Sequence, residues 1–242
     1  MTNDGGNMVR ASGRKADETR EIKIIPNYLA YAEGSCMISF GKTKILCAAT
    51  IEDKIPAFLK GSGYGWISAE YSLLPRATQT RSDREAVRGK QSGRTQEIQR
   101  LIGRSLRASL DLATFGERQL KVDCDVIQAD GGTRTASICG ACVAVGLAIR
   151  KMQFKHNPFK HLVGAISCGI INDRVVIDLD YMEDSQAQVD ANFVMVDTGE
   201  LVEVQATGEK GVFTDDQLAE MICCARRGVQ QIFKLQKDIL LQ

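Results

Sequence analysis

Apolar and polar positions alternate in short runs over the first fifty residues, then shift between helical and strand periods to the end of the chain. Residues 20–25, 35–40 and 43–51 read as strands, with Gly41-Lys42 as a hairpin turn. From Glu52 to Gln91 the pattern breaks up around glycines at 61, 63 and 65, which predicts a long loop. Ile98, Leu101, Ile102 and Leu106 share one helical face, predicting a helix over 95–114 that Gly116 stops. Leu120, Val122, Cys124 and Val126 alternate with polar residues, as in a strand with one buried face. Residues 135–152 are small and apolar on nearly every side, which predicts a buried helix. Two hairpins follow: 163–171 with 174–179 across Asn172-Asp173, and 192–196 with 201–205 across 197–200. Thr214-Asp215-Asp216-Gln217 is a capping box that opens a long amphipathic helix. The sum is an α+β fold, with mixed or antiparallel sheets packed against three principal helices.

Polarity at the start predicts a mobile N-terminal extension over residues 1–13, ahead of a single domain over 14–242. The chain of 242 residues is 44% apolar and 25% charged, an ordinary globular balance. A net charge of +1 excludes a polycation, so any nucleic-acid binding must come from a local basic patch. Residues 1–7 lack the apolar core of a signal peptide, and no apolar run approaches the roughly 18 residues of a bilayer span. The expectation is a cytoplasmic protein without a membrane partner. The eight cysteines do not form a disulfide framework. Cys36, Cys47, Cys124 and Cys168 fall in strands, and Cys139-x-x-Cys142 lies well inside a helix, so packing is favoured over metal or redox chemistry. His156 and His161 flank a turn at Asn157-Pro158 and read as surface residues without a partner.

Three groups of residues carry chemistry. The turn Ala129-Asp130-Gly131-Gly132-Thr133-Arg134 joins a strand to the start of a helix. Free N–H groups there favour an anion, glycines allow close approach, and Thr133 and Arg134 add a hydroxyl and a guanidinium. Taken alone, the turn reads more simply as an ordinary junction, and it has neither a P-loop nor a dinucleotide-binding spacing. The second group is a segment with Arg76, Arg81, Arg84, Arg88, Lys90 and Arg94 against only Asp83 and Glu85. It could be a solvated loop, or a strap for single-stranded RNA. Arg94, beside Gly93 at a helix start, is placed to share a phosphate with Arg134. The third group is acidic: Asp178, Asp180, Glu183, Asp184 and Asp190. Oxygen-only ligands point to Mg²⁺ or Mn²⁺, and a solvated acidic loop is the competing reading. An anion cradle, an arginine strap and a carboxylate cluster together are what phosphoryl transfer needs.

With these in view, the chain resembles the ribonuclease PH family, phosphate-dependent 3′-exoribonucleases related to polynucleotide phosphorylase and to exosome ring subunits. The resemblance is carried by Ile51-Glu52-Asp53, Gly65 to Ser72, Leu74 to Thr78, Ser92-Gly93-Arg94-Thr95, Glu97 to Arg100, Asp123 to Arg134, Glu183-Asp184-Ser185 and Val189-Asp190. It runs from about Arg14 into the last helix, with Met1 to Val9 extending beyond the family's usual start. It implies an RNase PH-type fold and a phosphate site on Arg94, Gly132, Thr133 and Arg134. It implies a divalent cation, Mg²⁺ or Mn²⁺, on Asp184 and Asp190, and RNA contacts from Arg76, Arg81 and Arg84. The implied reaction is reversible phosphorolytic trimming of precursor tRNA 3′ ends, with inorganic phosphate as co-substrate, nucleoside 5′-diphosphates as products, and rRNA as a further substrate. The implied assembly is a hexameric ring, a trimer of dimers. A catalytically silent RNA-binding ring subunit and a hydrolytic metal-dependent nuclease are the alternatives.

Overall fold

The computed structural model describes residues 10–241. Two sheets share one continuous apolar core. The first has five strands: β1 (Ile22–Pro26), β2 (Gly34–Phe40), β3 (Thr43–Glu52), β4 (Trp66–Leu73) and β5 (Gln119–Gln128), in the order β1-β2-β3-β5-β4. Its pairings are antiparallel except β4 with β5, which run parallel. The second sheet comprises β6 (Val163–Ile171), β7 (Arg174–Ile177), β8 (Val189–Val196) and β9 (Leu201–Gly208), in the antiparallel order β7-β6-β8-β9. The helices are α1 (Glu85–Arg88), α2 (Gly93–Arg107), α3 (Leu112–Phe115), α4 (Thr133–Met152), α5 (Tyr181–Gln186) and α6 (Asp215–Leu240). The α+β class and the sheet types are as expected.

Helix α4 organises the core because it is apolar all round and must be covered all round. It touches β2, β3 and β5 of the first sheet and β6 of the second, with α2 and α6 beside it. Contrary to the expectation that no apolar run approaches a bilayer span, its 20 residues and mean hydropathy would suit one; 83% of its most apolar stretch is buried in the fold, as in a core helix. Cys139 and Cys142 belong to this packing. Burial holds the Cys139 thiol far above its usual range and pushes Cys142 up to about 12, so neither is a ready thiolate. Capping boxes at Thr214 and Asp180 open α6 and α5.

Four expectations change. The broken stretch 52–91 contains β4, a full edge strand whose Ile67 and Tyr71 are buried while Glu70 and Ser72 face outward. The helix expected over 95–114 starts earlier, capped by Ser92, and ends at Arg107. Asp111 then caps the separate α3 with its own carboxylate, and the neighbouring loop pulls the chain out of the helix through Asp111 N–H to Pro158 O at 2.8 Å. Of the extension expected to be mobile over 1–13, residues 1–9 lie outside the described residues. Its last part is tied down: Arg10 is buried and bonds Glu183 and the carbonyls of Ile177 and Asp178. A polar sequence concealed this anchoring because its partners lie about 170 residues away. His161 also gains a partner, Asp197, at 3.6 Å.

Candidate active site

The strand-to-helix turn is built as its sequence requires. Gly131 and Gly132 both have positive φ, at 75° and 65°, a region that L side chains enter at a cost. Gly131 also packs on the chain leading into α5. A Cβ there would lie 2.6 Å from the Leu179 carbonyl oxygen and from the Asp180 carbonyl carbon. Gly131→Ala is therefore expected to lower thermal stability by at least the roughly 1–2 kcal/mol of a left-handed L residue, plus the clash; an unchanged melting temperature would contradict this packing. Gly132 forms the N-terminal boundary of α4 with no side-chain cap, leaving its first N–H groups free for a ligand. The buried Thr133 hydroxyl accepts a hydrogen bond from Tyr71 Oη at 2.8 Å, so its own proton is free to be donated.

Arg134 points into a cavity of about 310 Å³ lined by Arg94, Asp184, Ser185, Asp190, Asn192, Gln205, Thr207 and Glu209. Arg94, Arg134, Asp184 and Asp190, four residues 96 positions apart at the extremes of the sequence, thus meet at one site. Arg134 lies 3.2 Å from Glu97 Oε2 and 3.9 Å from Asp190 Oδ2. Its Nε is buried without a partner among the described residues, a donor that costs free energy until an acceptor arrives. Burial, and then the charge of Asp184, push Asp190 up to about 6, with Arg134 opposing. Asp184 is raised as well, by burial, with Arg94 and Arg134 opposing. Gly132 and Thr133 adjoin Arg134 at the helix start and do not line this cavity.

A larger groove of about 910 Å³ runs between the outward residues of β4 and β5 and the segment carrying α1. Arg81, Arg84, Arg88 and Lys90 line one part of it and the carboxylates of Glu70, Asp83, Glu85, Asp123 and Asp125 line others, while Arg94 borders both groove and cavity. Arg76 is exposed and lines neither. Arg81 and Arg88 both pair with Asp83 at the surface. The acidic cluster divides: Asp178 and Glu183 are taken up by buried arginines, while Asp184 and Asp190 face the cavity.

Sequence reasoning missed Glu97, which fixes Arg134 and is itself held by Gln205 Nε2 at 3.2 Å. It also missed Asn192, Gln205, Thr207 and Glu209. A signal existed: Asp190 pairs with Thr207 and Asn192 with Gln205 in adjacent strands, so polar residues spaced by two fall on one face.

Two family descriptions match this chain: 3′ exoribonuclease family, domain 1, over residues 18–150, and domain 2 over residues 161–228. The chain belongs to the 3′ exoribonuclease family. Ribonuclease PH of Methylocella silvestris is 56% identical over 233 residues, covering 95% of this chain and 98% of the relative. As a member of the ribonuclease PH group, the chain is a phosphate-dependent 3′-exoribonuclease. The fold is shared with rice (Oryza sativa) Rrp46, with a TM-score of 0.79 at 21% identity over 96% of this chain and all of that one. An Archaeoglobus fulgidus exosome with RNA bound to the active site matches with a TM-score of 0.79 at 20% identity, over 93% of this chain and 91% of that one.

Proposed function

We propose that the enzyme trims the 3′ ends of precursor tRNA by phosphorolysis, with the RNA backbone along the arginines of the groove and phosphate at its end. The observation that carries this reading is that Arg94 borders both spaces. A chain held by Arg81 and Arg84 would then deliver its last phosphodiester beside Arg94 and Arg134, with Arg76 on the exposed approach. Such contacts are charge-based and tolerate any base sequence. Inorganic phosphate is held by the two guanidinium groups, the free N–H groups at Gly132–Arg134 and the Thr133 hydroxyl. It attacks the terminal phosphodiester in line and releases a nucleoside 5′-diphosphate; the reverse reaction adds a nucleotide. No side-chain nucleophile is required.

Asp184 and Asp190 fit a Mg²⁺ or Mn²⁺ ion. Both donors are oxygens, and their mutual repulsion in a partly buried site is relieved by a cation. Two carboxylates would leave the other positions of such an ion to waters and substrate oxygens. When bound, it would supply charge stabilisation to the reacting phosphate oxygens. A hexameric ring, a trimer of dimers, would extend the RNA grip across neighbouring subunits, and the fold shared with an exosome protein supports this reading.

The test is product identity. A 3′-extended tRNA incubated with the enzyme should yield nucleoside diphosphates only when phosphate is present. Monophosphate release in phosphate-free buffer would instead identify a hydrolytic nuclease.

A further inference from the structure

Three arginines ahead of β1, Arg10, Arg14 and Arg20, are buried around the stretch that leads from β7 into α5. Their carboxylate partners are Asp178, Asp180 and Glu183. Three cations against three carboxylates let the cluster be buried without net charge. Asp178 lies at its centre, buried, with φ at 52°. That conformation is unfavourable for an aspartate unless its surroundings enforce it. They do so here: its carbonyl accepts from Arg10 and Arg14, and its N–H donates to the Ser167 carbonyl at 2.7 Å.

Arg10 and Arg14 hold this stretch and their own adjoining loop. Arg20 does something more. One edge of its guanidinium grips Asp178, through Nε to Oδ2 at 3.0 Å and Nη2 to Oδ1 at 2.6 Å. Nη1 donates to the Asp130 carbonyl at 2.5 Å, and Nη2 lies 3.5 Å from the Gly131 carbonyl. A planar fork with five donors can face two acceptor groups at once, which an ammonium on a flexible stem cannot do in one fixed geometry. Thr43 supports the same turn, donating to the Gly131 carbonyl at 2.7 Å and accepting from Asp130 N–H at 2.9 Å. In a trans peptide the C=O and N–H point in opposite directions. Holding the carbonyls of Asp130 and Gly131 on the Arg20 side therefore aims the N–H groups of Gly131 and Gly132 the other way.

We infer that Arg20 is a positioning residue, a strut that fixes the Gly131–Thr133 turn and the N-terminus of α4 relative to the segment carrying Asp184. It touches no reacting atom. It acts through two backbone carbonyls on one side and Asp178 on the other, and so sets the spacing between the phosphate-holding and carboxylate-bearing halves of the site. This inference rests on the phosphate site proposed above.

The experiment is steady-state phosphorolysis of a 3′-extended tRNA by Arg20→Lys, with phosphate varied, beside direct RNA binding. Lysine keeps the charge and loses the bridge. The KM for phosphate should rise about tenfold, the worth of roughly one net hydrogen bond, with a smaller change in kcat and RNA affinity within twofold of wild type. An unmoved phosphate KM overturns the strut, as does an equal loss of phosphate and RNA affinity, which marks general damage to the fold. Should Arg20→Lys not fold, the near-isosteric Thr43→Val removes the second holder of the same carbonyl; the same selective rise supports the inference and an unmoved KM overturns it. Wild-type enzyme that releases monophosphates without phosphate would fail the phosphate-site reading itself. Phosphate-dependent wild type with unmoved variants fails the strut alone.

Discussion

Asp190→Asn is expected to stop phosphorolysis while making the folded protein more stable. Asp190 is buried beside Asp184, and its carboxyl is pushed up to about 6, against 3.8 for an unperturbed aspartate. Below the lower value the group is protonated in both folded and unfolded chains, so it has no effect on stability. Above about pH 6 it is ionised in both, and the folded state bears the whole difference, about 2–3 kcal/mol at roughly 1.4 kcal/mol per pK unit. Asparagine removes that penalty. Without divalent cation, the variant should melt about 5 °C higher than wild type at pH 7.5, and at the same temperature near pH 3.5. Its kcat/KM for nucleoside diphosphate release should fall on the order of a thousandfold, the scale of losing one electrostatic anchor at a transition state. Activity within tenfold of wild type, or a lower melting temperature at both pH values, would contradict this account of the site.

Arg134→Ala should abolish saturation by phosphate with little effect on RNA binding. The side chain is fixed by Glu97 and Asp190 and keeps a buried, unpartnered Nε. Two charge-assisted hydrogen bonds to an anion, at about 1.5–3 kcal/mol each, correspond to a loss of roughly 10²- to 10⁴-fold in kcat/KM for phosphate. The groove arginines that would hold RNA are untouched, so the RNA dissociation constant should stay within a few-fold. Removing the cation also deprives Asp190 of a favourable neighbour and should drive its carboxyl further upward. Initial rates over a range of phosphate concentrations, beside RNA binding at fixed salt, separate these effects. A loss below tenfold, or a parallel loss of RNA affinity, would take Arg134 out of the phosphate cradle.

Legibility in the sequence followed the range of the interactions involved. The alternation in β5 and the all-round apolarity of α4 each state their environment within a dozen residues, so strand and buried helix were both readable. β4 was hidden although Ile67, Ala69, Tyr71 and Leu73 alternate, because glycines before it and Pro75 after it made the stretch read as loop. The break between α2 and α3 was missed for another reason. The apolar spacing runs on through Leu110, and bonds to a distant loop turn the chain out, from Asp111 N–H to the Pro158 carbonyl and from Lys160 N–H to the Ser109 carbonyl. At the site, the Gly131-Gly132-Thr133-Arg134 turn taken alone reads as an ordinary junction, and the anion reading comes from its coexistence with the arginines and acids. The choice of Asp184 and Asp190 among five acids came from resemblance to a family, since spacing alone left all five equivalent.

The sequence by itself determined most of the strands, the core helix, the turn at the start of α4 and, through its motifs, the family. These depend on backbone preferences and on patterns shorter than one element. Tertiary structure decided which charges are available for chemistry. Asp178 and Glu183 are spent on buried arginines from the start of the chain, whereas Asp184 and Asp190 are left facing Arg94 and Arg134 across a cavity. A carboxylate's role is set by the cation nearest to it in space. Here that cation comes from residues 10–20 for one pair of acids, and for the other from the starts of two helices.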